Sequence, residues 1–297
     1  MGEAVKRAGL LFALVGAVGF SFKAILVKLA YQYEVDAETL LALRMAFSLP
    51  FFLVMGVVAD RRAARRLDGR DWLWMAGLGF FGYYLASYLD FLGLQYISAA
   101  LERLILFLYP TLVIVLSALF LGKPVTRRAM AALGLCYLGI ALALGHDLKI
   151  AGEAGAVLLG SLLVFGSALA YALYLMGNGE VVGRLGSMRV TAFATSFACL
   201  FCIAQFLLLR PLGALVQPWP VYGLGLAMAL FSTVAPVWLV SEAIRRLGAG
   251  PVSLTGTLGP VITIFLGWLM LDEAIGASQI AGAALVIAGV LVMARRG

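Results

Sequence analysis

Apolar runs of membrane-spanning length, broken by short polar segments, fill this chain from one end to the other. Counting runs able to cross a hydrocarbon core of about 30 Å, at ~1.5 Å per helical residue, predicts ten helices, at residues 8–30, 38–58, 71–92, 98–121, 126–146, 154–177, 188–210, 219–244, 250–271 and 277–295. The first run follows Lys6 and Arg7 as a signal peptide would, but it is too long for the apolar region of one and lacks a convincing small-x-small cleavage site. It is predicted to stay in place as the first crossing. The pattern therefore predicts an all-α polytopic membrane protein with ten transmembrane helices.

The pattern also repeats at an offset of 150 residues. Leu108-Tyr109-Pro110 recurs as Leu258-Gly259-Pro260 and Leu121 as Leu271, while Phe47, Phe51, Leu119, Leu135 and Gly139 match Phe197, Phe201, Leu269, Leu285 and Gly289. Residues 1–147 and 148–297 are predicted to be two copies of one five-helix unit. Five is odd, so the second copy enters the bilayer from the opposite side, as in inverted-repeat transporters.

Composition and charge sharpen this picture. With 63% hydrophobic residues, 12% charged residues and a mean hydropathy of +1.03, the chain requires a lipid bilayer. The net charge of +7 sits at helix ends and is read as membrane-edge charge, with no nucleic-acid partner. Arginines cluster at 61–70, 127–128, 184–189 and 245–246, joined by Lys123, Arg295 and Arg296, whereas the alternate loops hold only Lys149 and Arg210. This asymmetry predicts both termini in the cytoplasm. Gly122-Lys123 aligns with Asp272-Glu273, and Arg127-Arg128 with Ala277-Ser278, the opposite bias that inversion requires. No phosphate-cradling G-x-x-x-x-G-K-[ST] loop is present, and no cofactor is expected.

Leu94-Gln95-Tyr96-Ile97-Ser98-Ala99-Ala100, Leu108-Tyr109-Pro110, Leu119-Phe120-Leu121-Gly122 and Gly134 to Gly139 resemble the first EamA-type repeat of the drug/metabolite transporter superfamily. Gly259-Pro260, Leu269 to Glu273 and Gly282 to Gly289 resemble the second. The resemblance spans the chain and implies a central pathway built by helices 1–4 and 6–9, with helices 5 and 10 behind. One departure is Leu121-Gly122-Lys123, where the family often carries Leu-Gly-Glu.

Ionisable groups within the spans point to that pathway, since each costs on the order of 3 kcal/mol in hydrocarbon unless it faces a partner or water. Lys23, Arg44, Asp90, Glu102 and Arg103 all fall toward the outer side of the first repeat. Arg44 and Glu102 lie at similar depth and are the expected ion pair, with Lys23 and Asp90 as competing partners, while Lys23 reads as the deep cation without an obvious neighbour. The second repeat offers Tyr171, Tyr174, Trp238 and Ser241, and helix 3 adds Tyr84 and Tyr88 on one face at i, i+4 spacing. Charged groups on one wall and aromatic or hydroxyl groups on the other suit a zwitterion with an apolar side chain.

Pro110 and Pro260 are the hinge candidates, each expected to remove one backbone hydrogen bond within a helix. Glu242 is expected to pair with Arg245 or Arg246, and Gly134, Gly139, Gly282 and Gly289 to mark close helix packing. Cys199 and Cys202 have C-x-x-C spacing within a span but no second ligand pair, so no metal site is expected. His146 reads as a solvated end residue. The sequence describes a secondary transporter of the bacterial inner membrane, exporting small metabolites by alternating access. The resemblance favours amino acids, including aromatic ones, as the solute. Drugs, nucleotide sugars or other phosphorylated metabolites stand as alternatives within the superfamily, and a channel outside it. No nucleophile–base or metal set for an enzyme is present.

Overall fold

A computed structural model of the protein describes residues 3–63, 65–122, 124–150, 153–247, 252 and 255–294. Lys123, Arg295 and Arg296, read above as cytoplasmic charges, and the side chain of Lys6 lie outside what is described. The ordered elements among the described residues are all helical. In chain order they are α1 (Glu3–Tyr31), α2 (Ala37–Arg61), α3 (Gly69–Gly79), a π-helical turn (Phe80–Leu85), α4 (Ala86–Gly93), α5 (Ala99–Leu106), α6 (Tyr109–Leu121), α7 (Arg127–Ile150), α8 (Ala154–Leu185) and α9 (Ser187–Leu209). A short 3₁₀ turn (Leu212–Leu215) leads to α10 (Trp219–Ala229), a second π-helical turn (Leu230–Val234), α11 (Ala235–Leu247), α12 (Gly259–Leu271) and α13 (Ala277–Ala294). Seven of the described helices, counting α5–α6 and α10–α11 each as one rod, are long and apolar enough to cross a membrane, and α12 and α13 are shorter apolar helices.

Local chemistry explains the helix ends. Asp36 starts α2 by accepting the Thr39 backbone N–H at 2.9 Å and its hydroxyl at 2.8 Å, with Glu38 in the first turn complementing the helix dipole. Asp68 and Asp71 form a reciprocal capping box at α3, and Ser98 caps α5 through the Leu101 N–H at 3.1 Å. Gly122 closes α6 in the left-handed region at φ 63°, and its repeat equivalent Asp272 closes α12 at φ 53°. Glycine takes that conformation without a Cβ clash, and aspartate is among the few other residues that tolerate it.

Two expectations about the long runs change. The chain breaks between α5 and α6, and Pro110 sits in the first turn of α6, where a missing N–H leaves no hydrogen bond unmade. Pro260 takes the same place in α12. Each proline follows a short turn, at 107–108 and 257–258, so the interruption lies just before it. Two further irregularities are the π turns, which occupy positions 80–85 and 230–234, again 150 residues apart.

Helix pairing follows the repeat. α2 packs on α9 and α7 on α13, each against its own copy, while α1 packs on α11 and α8 on α4, pairs that exchange between copies. On α7 and α13 the contacts run in opposite directions. Gly139 lies against the Gly282 carbonyl, Gly289 lies against the Ala132 carbonyl, and Cys136 Sγ meets the carbonyl of Val286, its own equivalent, at 3.7 Å. Such an exchange of partners is what a two-fold axis perpendicular to two antiparallel helices produces. Glycine is needed because any Cβ at 139 or 282 would strike the facing carbonyl. Gly134 departs from the expectation: a Cβ there would meet nothing within 4 Å.

Candidate functional site

The charged residues of the first repeat gather where α1, α2, α4 and α5 meet. Lys23 Nζ on α1 donates to Asp90 Oδ2 on α4 at 2.6 Å and lies 3.1 Å from Glu102 Oε1 on α5. Lys23 therefore has two carboxylate partners, which corrects its reading as a solitary cation. Glu102 pairs with Lys23 and not with Arg44, because the helix faces that carry these side chains, not their depth alone, decide who meets whom. Asp90 is 1% exposed and Glu102 is fully buried. Glu102 Oε1 is at ion-pairing distance from Lys23 without hydrogen-bond alignment, and Oε2 and Asp90 Oδ1 have no hydrogen-bond partner among the described residues.

Arg44 turns toward the second repeat. Its Nε donates to Thr233 Oγ1 at 3.0 Å, inside the second π turn, and its guanidinium carbon lies 5.3 Å from the centroid of the Phe91 ring. Thr233 passes the interaction on to the Met228 carbonyl at 2.9 Å. Arg44 is 6% exposed, yet its Nη1 is buried with no hydrogen-bond partner among the described residues. A buried guanidinium nitrogen left without an acceptor is costly and marks a place where an acceptor fits.

Arg103 takes a third direction, against Gly259 at the start of α12 and over the Phe107 ring at 5.7 Å. Ser21 on α1 donates to the Gly259 carbonyl at 3.3 Å, tying the two repeats at this point. Beyond Arg103 runs a tyrosine chain. Tyr109 packs on Tyr171 with ring centroids 5.3 Å apart, Tyr171 on Tyr174 at 5.5 Å, and Tyr174 shares a hydroxyl contact of 3.1 Å with Tyr83 of the first π turn. Tyr84 stacks near-parallel with Tyr88, whose hydroxyl donates to Glu38 Oε1 at 3.0 Å.

Two sequence candidates stand apart from this cluster. Trp238 is 48% exposed and packs on Phe12 at the surface of the bundle, and the Ser241 hydroxyl bonds its own helix at the Val237 carbonyl, 2.8 Å away. Both are predicted from the residue type a pathway needs, and neither contacts the charged cluster through the bonds described. Glu242 pairs with Arg245 at 2.5 Å and Arg246 at 2.7 Å on its own helix. Cys199 and Cys202 are buried free thiols, and no metal-competent group occurs among the described residues.

A polar network at the end of α1 is missed by the sequence reading. Glu273 of the second repeat accepts the Ala99 N–H at 2.9 Å and lies 3.5 Å from Lys28, which also donates to the Ile97 carbonyl at 2.7 Å. Asp147 accepts the Ser98 N–H at 3.0 Å. His146 is half-buried, with Nε2 3.1 Å from the Ala274 carbonyl, and is not a freely solvated end residue. The available signal was the helix start after Ser98, whose orphan N–H groups need acceptors. Nothing in the local sequence says that the acceptor comes from 174 residues away. Beside this network, Lys28, Tyr31, Glu34, Asp36 and Gln95 line a polar cavity of about 360 Å³. Burial works to raise Asp36, but the Thr39 N–H and hydroxyl and the Arg210 guanidinium bring it below the usual aspartate value. A larger groove of about 620 Å³ is lined by Val261, Phe265, Ile280 and other apolar residues, chiefly of α12 and α13.

An apolar helical bundle that encloses unevenly partnered charges at the junction of two repeats is built as a membrane transporter. The EamA-like transporter family matches residues 7–145 and again 158–295, and the chain belongs to that family. It is 31% identical over 280 residues to the uncharacterized transporter YcbK of Bacillus subtilis (strain 168), covering 93% of this chain and 89% of that one. It is 27% identical over 209 residues to the threonine/homoserine exporter RhtA of Escherichia coli (strain K12), covering 68% and 64% of the two chains. A solved crystal structure shares the fold with a TM-score of 0.66 at 18% identity, over 97% of this chain and 96% of the other.

Proposed function

We propose that this protein is a secondary transporter of the bacterial inner membrane that exports amino acids by alternating access. In this reading ten helices cross the bilayer as two inverted five-helix repeats, with both termini cytoplasmic and the Lys28–Glu273 network on the outer side. The observation that carries the solute class is Arg44, a buried guanidinium with an unpartnered Nη1 at the junction of the repeats. A planar guanidinium matches a carboxylate in two parallel hydrogen bonds. Asp90 and Glu102 supply acceptors for the solute's ammonium group, and Tyr84 and Tyr88 supply an aromatic flank. The matched π turns are the flexible points: each holds a helix out of regular hydrogen bonding, and the second carries the Thr233 contact to Arg44. The name of the RhtA exporter supports amino acids among the solutes of the family.

Reconstitution into liposomes with labelled L-threonine, L-phenylalanine, a nucleotide sugar and a cationic dye tests this reading. Saturable amino-acid movement that is lost in Arg44→Ala is the expected result. Transport of the dye or the nucleotide sugar without amino acids would replace the solute assignment.

A further inference from the structure

The Lys23 cluster has a feature that solute binding alone does not require: two buried carboxylates face one ammonium. We propose that Glu102 is a proton-binding site, and that its proton and a bound solute exclude one another, so that export is coupled to proton entry. This rests on the amino-acid export reading above.

The surroundings determine where the proton sits. Asp90 holds Lys23 in the shorter, hydrogen-bonded pair at 2.6 Å, whereas Glu102 is fully buried and neither of its oxygens has a hydrogen-bond partner among the described residues. The other charged or titratable groups on the packed elements make no hydrogen bond to it, and Lys28 on α1 is turned to Glu273 and the Ile97 carbonyl. Arg44 on α2 is turned to Thr233 and Phe91, and Arg103 on α5 itself is turned to Gly259 and Phe107. On α1, Tyr31 donates to the Phe91 carbonyl. On α8, Tyr171 and Tyr174 pack with Tyr109 and Tyr83, and Ser167 donates to the Ala86 carbonyl. On α7, Asp147 and His146 bond Ser98 and the Ala274 carbonyl at the end of the bundle, and α12 contains no ionisable residue. Two carboxylates that share one cation away from water do not both ionise without a large electrostatic penalty, and a proton on one removes it.

The same geometry supplies the coupling. A zwitterion seated with its carboxylate at Arg44 brings an ammonium group to Asp90 and Glu102. That second cation makes the carboxylate form of Glu102 favourable, so its O–H bond breaks and the proton leaves to the side from which the solute came. When the solute departs on the outer side, the O–H bond re-forms with a proton taken from outside. One proton moves inward for each solute exported, and one positive charge moves with it.

Infrared difference spectroscopy on the purified full-length protein tests the site without any solute. A protonated carboxylic carbonyl band at neutral pH is expected, shifted by ¹³C-glutamate labelling, abolished in Glu102→Gln and weakened or lost in Asp90→Asn, which leaves Glu102 as the one carboxylate beside Lys23. Absence of any such band between about pH 5 and about pH 9, or a band insensitive to the glutamate label, overturns the proposal even if Glu102→Gln does not fold. Coupling is read by adding L-threonine or L-phenylalanine to weakly buffered protein while measuring radioligand binding and proton release together. Binding with release of up to one proton per protein is expected. Binding without release overturns the coupling and leaves amino-acid export standing. If neither amino acid binds, the export reading falls, and the infrared band still decides the protonation of Glu102.

Discussion

At the scale of the residue, the site is governed by which buried charge finds which partner. Lys23 faces two carboxylates and holds Asp90 in the shorter pair, so Lys23→Gln leaves the buried Asp90 carboxylate without its cation. Breaking one partner from a buried ion group costs about 3–5 kcal/mol, and we expect a loss of that order in the thermal stability of detergent-solubilised protein. Combining Lys23→Gln with Asp90→Asn removes the carboxylate left without its cation, and more than half of the lost stability is expected to return. Additive losses in the double variant would separate the two residues energetically. Arg44 is tied to the second repeat through Thr233, so Thr233→Val, which keeps shape and removes the hydroxyl, should cost about 1.5–3 kcal/mol for a hydrogen bond to a charged group. Amino-acid uptake into liposomes should fall with it. Unchanged uptake at normal yield would mean that this contact does not position Arg44.

At the scale of the element, glycines separate into those that meet another helix and those that do not, a distinction absent from the residue name. Gly282 on α13 faces the Gly139 carbonyl, while the Cβ position of Gly134 on α7 is open. Gly282→Leu is therefore expected to lower stability by about 1–3 kcal/mol through overpacking, measured by thermal unfolding. Gly134→Leu should be neutral or slightly stabilising, since leucine favours the helix over glycine by roughly 1 kcal/mol. Equal effects of the two would contradict the α7–α13 pairing. The π turns have the same character. The residues of 80–85 and 230–234 read as ordinary apolar helix, and only the backbone hydrogen bonding reveals that both copies are interrupted at one position.

At the scale of the whole molecule, the arginine-rich ends and the repeat lead to one topological expectation. Single cysteines at the exposed positions Gln32 and Arg66 lie on opposite sides of the bilayer if α2 crosses it. The three native cysteines are buried, which keeps background labelling low. In intact cells, Gln32→Cys should react with an impermeant thiol reagent and Arg66→Cys should not. Labelling of position 66 from outside would reverse the assigned orientation.

Much of the architecture was legible in the sequence because it depends on quantities that add along the chain. Hydropathy summed over a run of membrane-spanning length places most helix ends to within a few residues, although α8 runs on to Leu185 where 177 was expected, and matched residues at a constant offset disclose the repeat. The identity of the ions within the spans, Lys23, Arg44, Asp90, Glu102 and Arg103, follows from the same sum, since a charge inside an apolar run stands out. Their pairing does not follow from it. Depth is linear in residue number, but the face a side chain presents depends on helix rotation, and a π turn shifts the register of everything beyond it. Asp90 lies beyond the first π turn and Thr233 inside the second. Only the packed bundle therefore settled that Lys23, not Arg44, holds Glu102, that Arg44 reaches Thr233, and that Trp238 packs on Phe12. The Glu273 contact to Ala99 has the same origin, because a helix start creates the need for an acceptor while only the apposition of the two repeats supplies it.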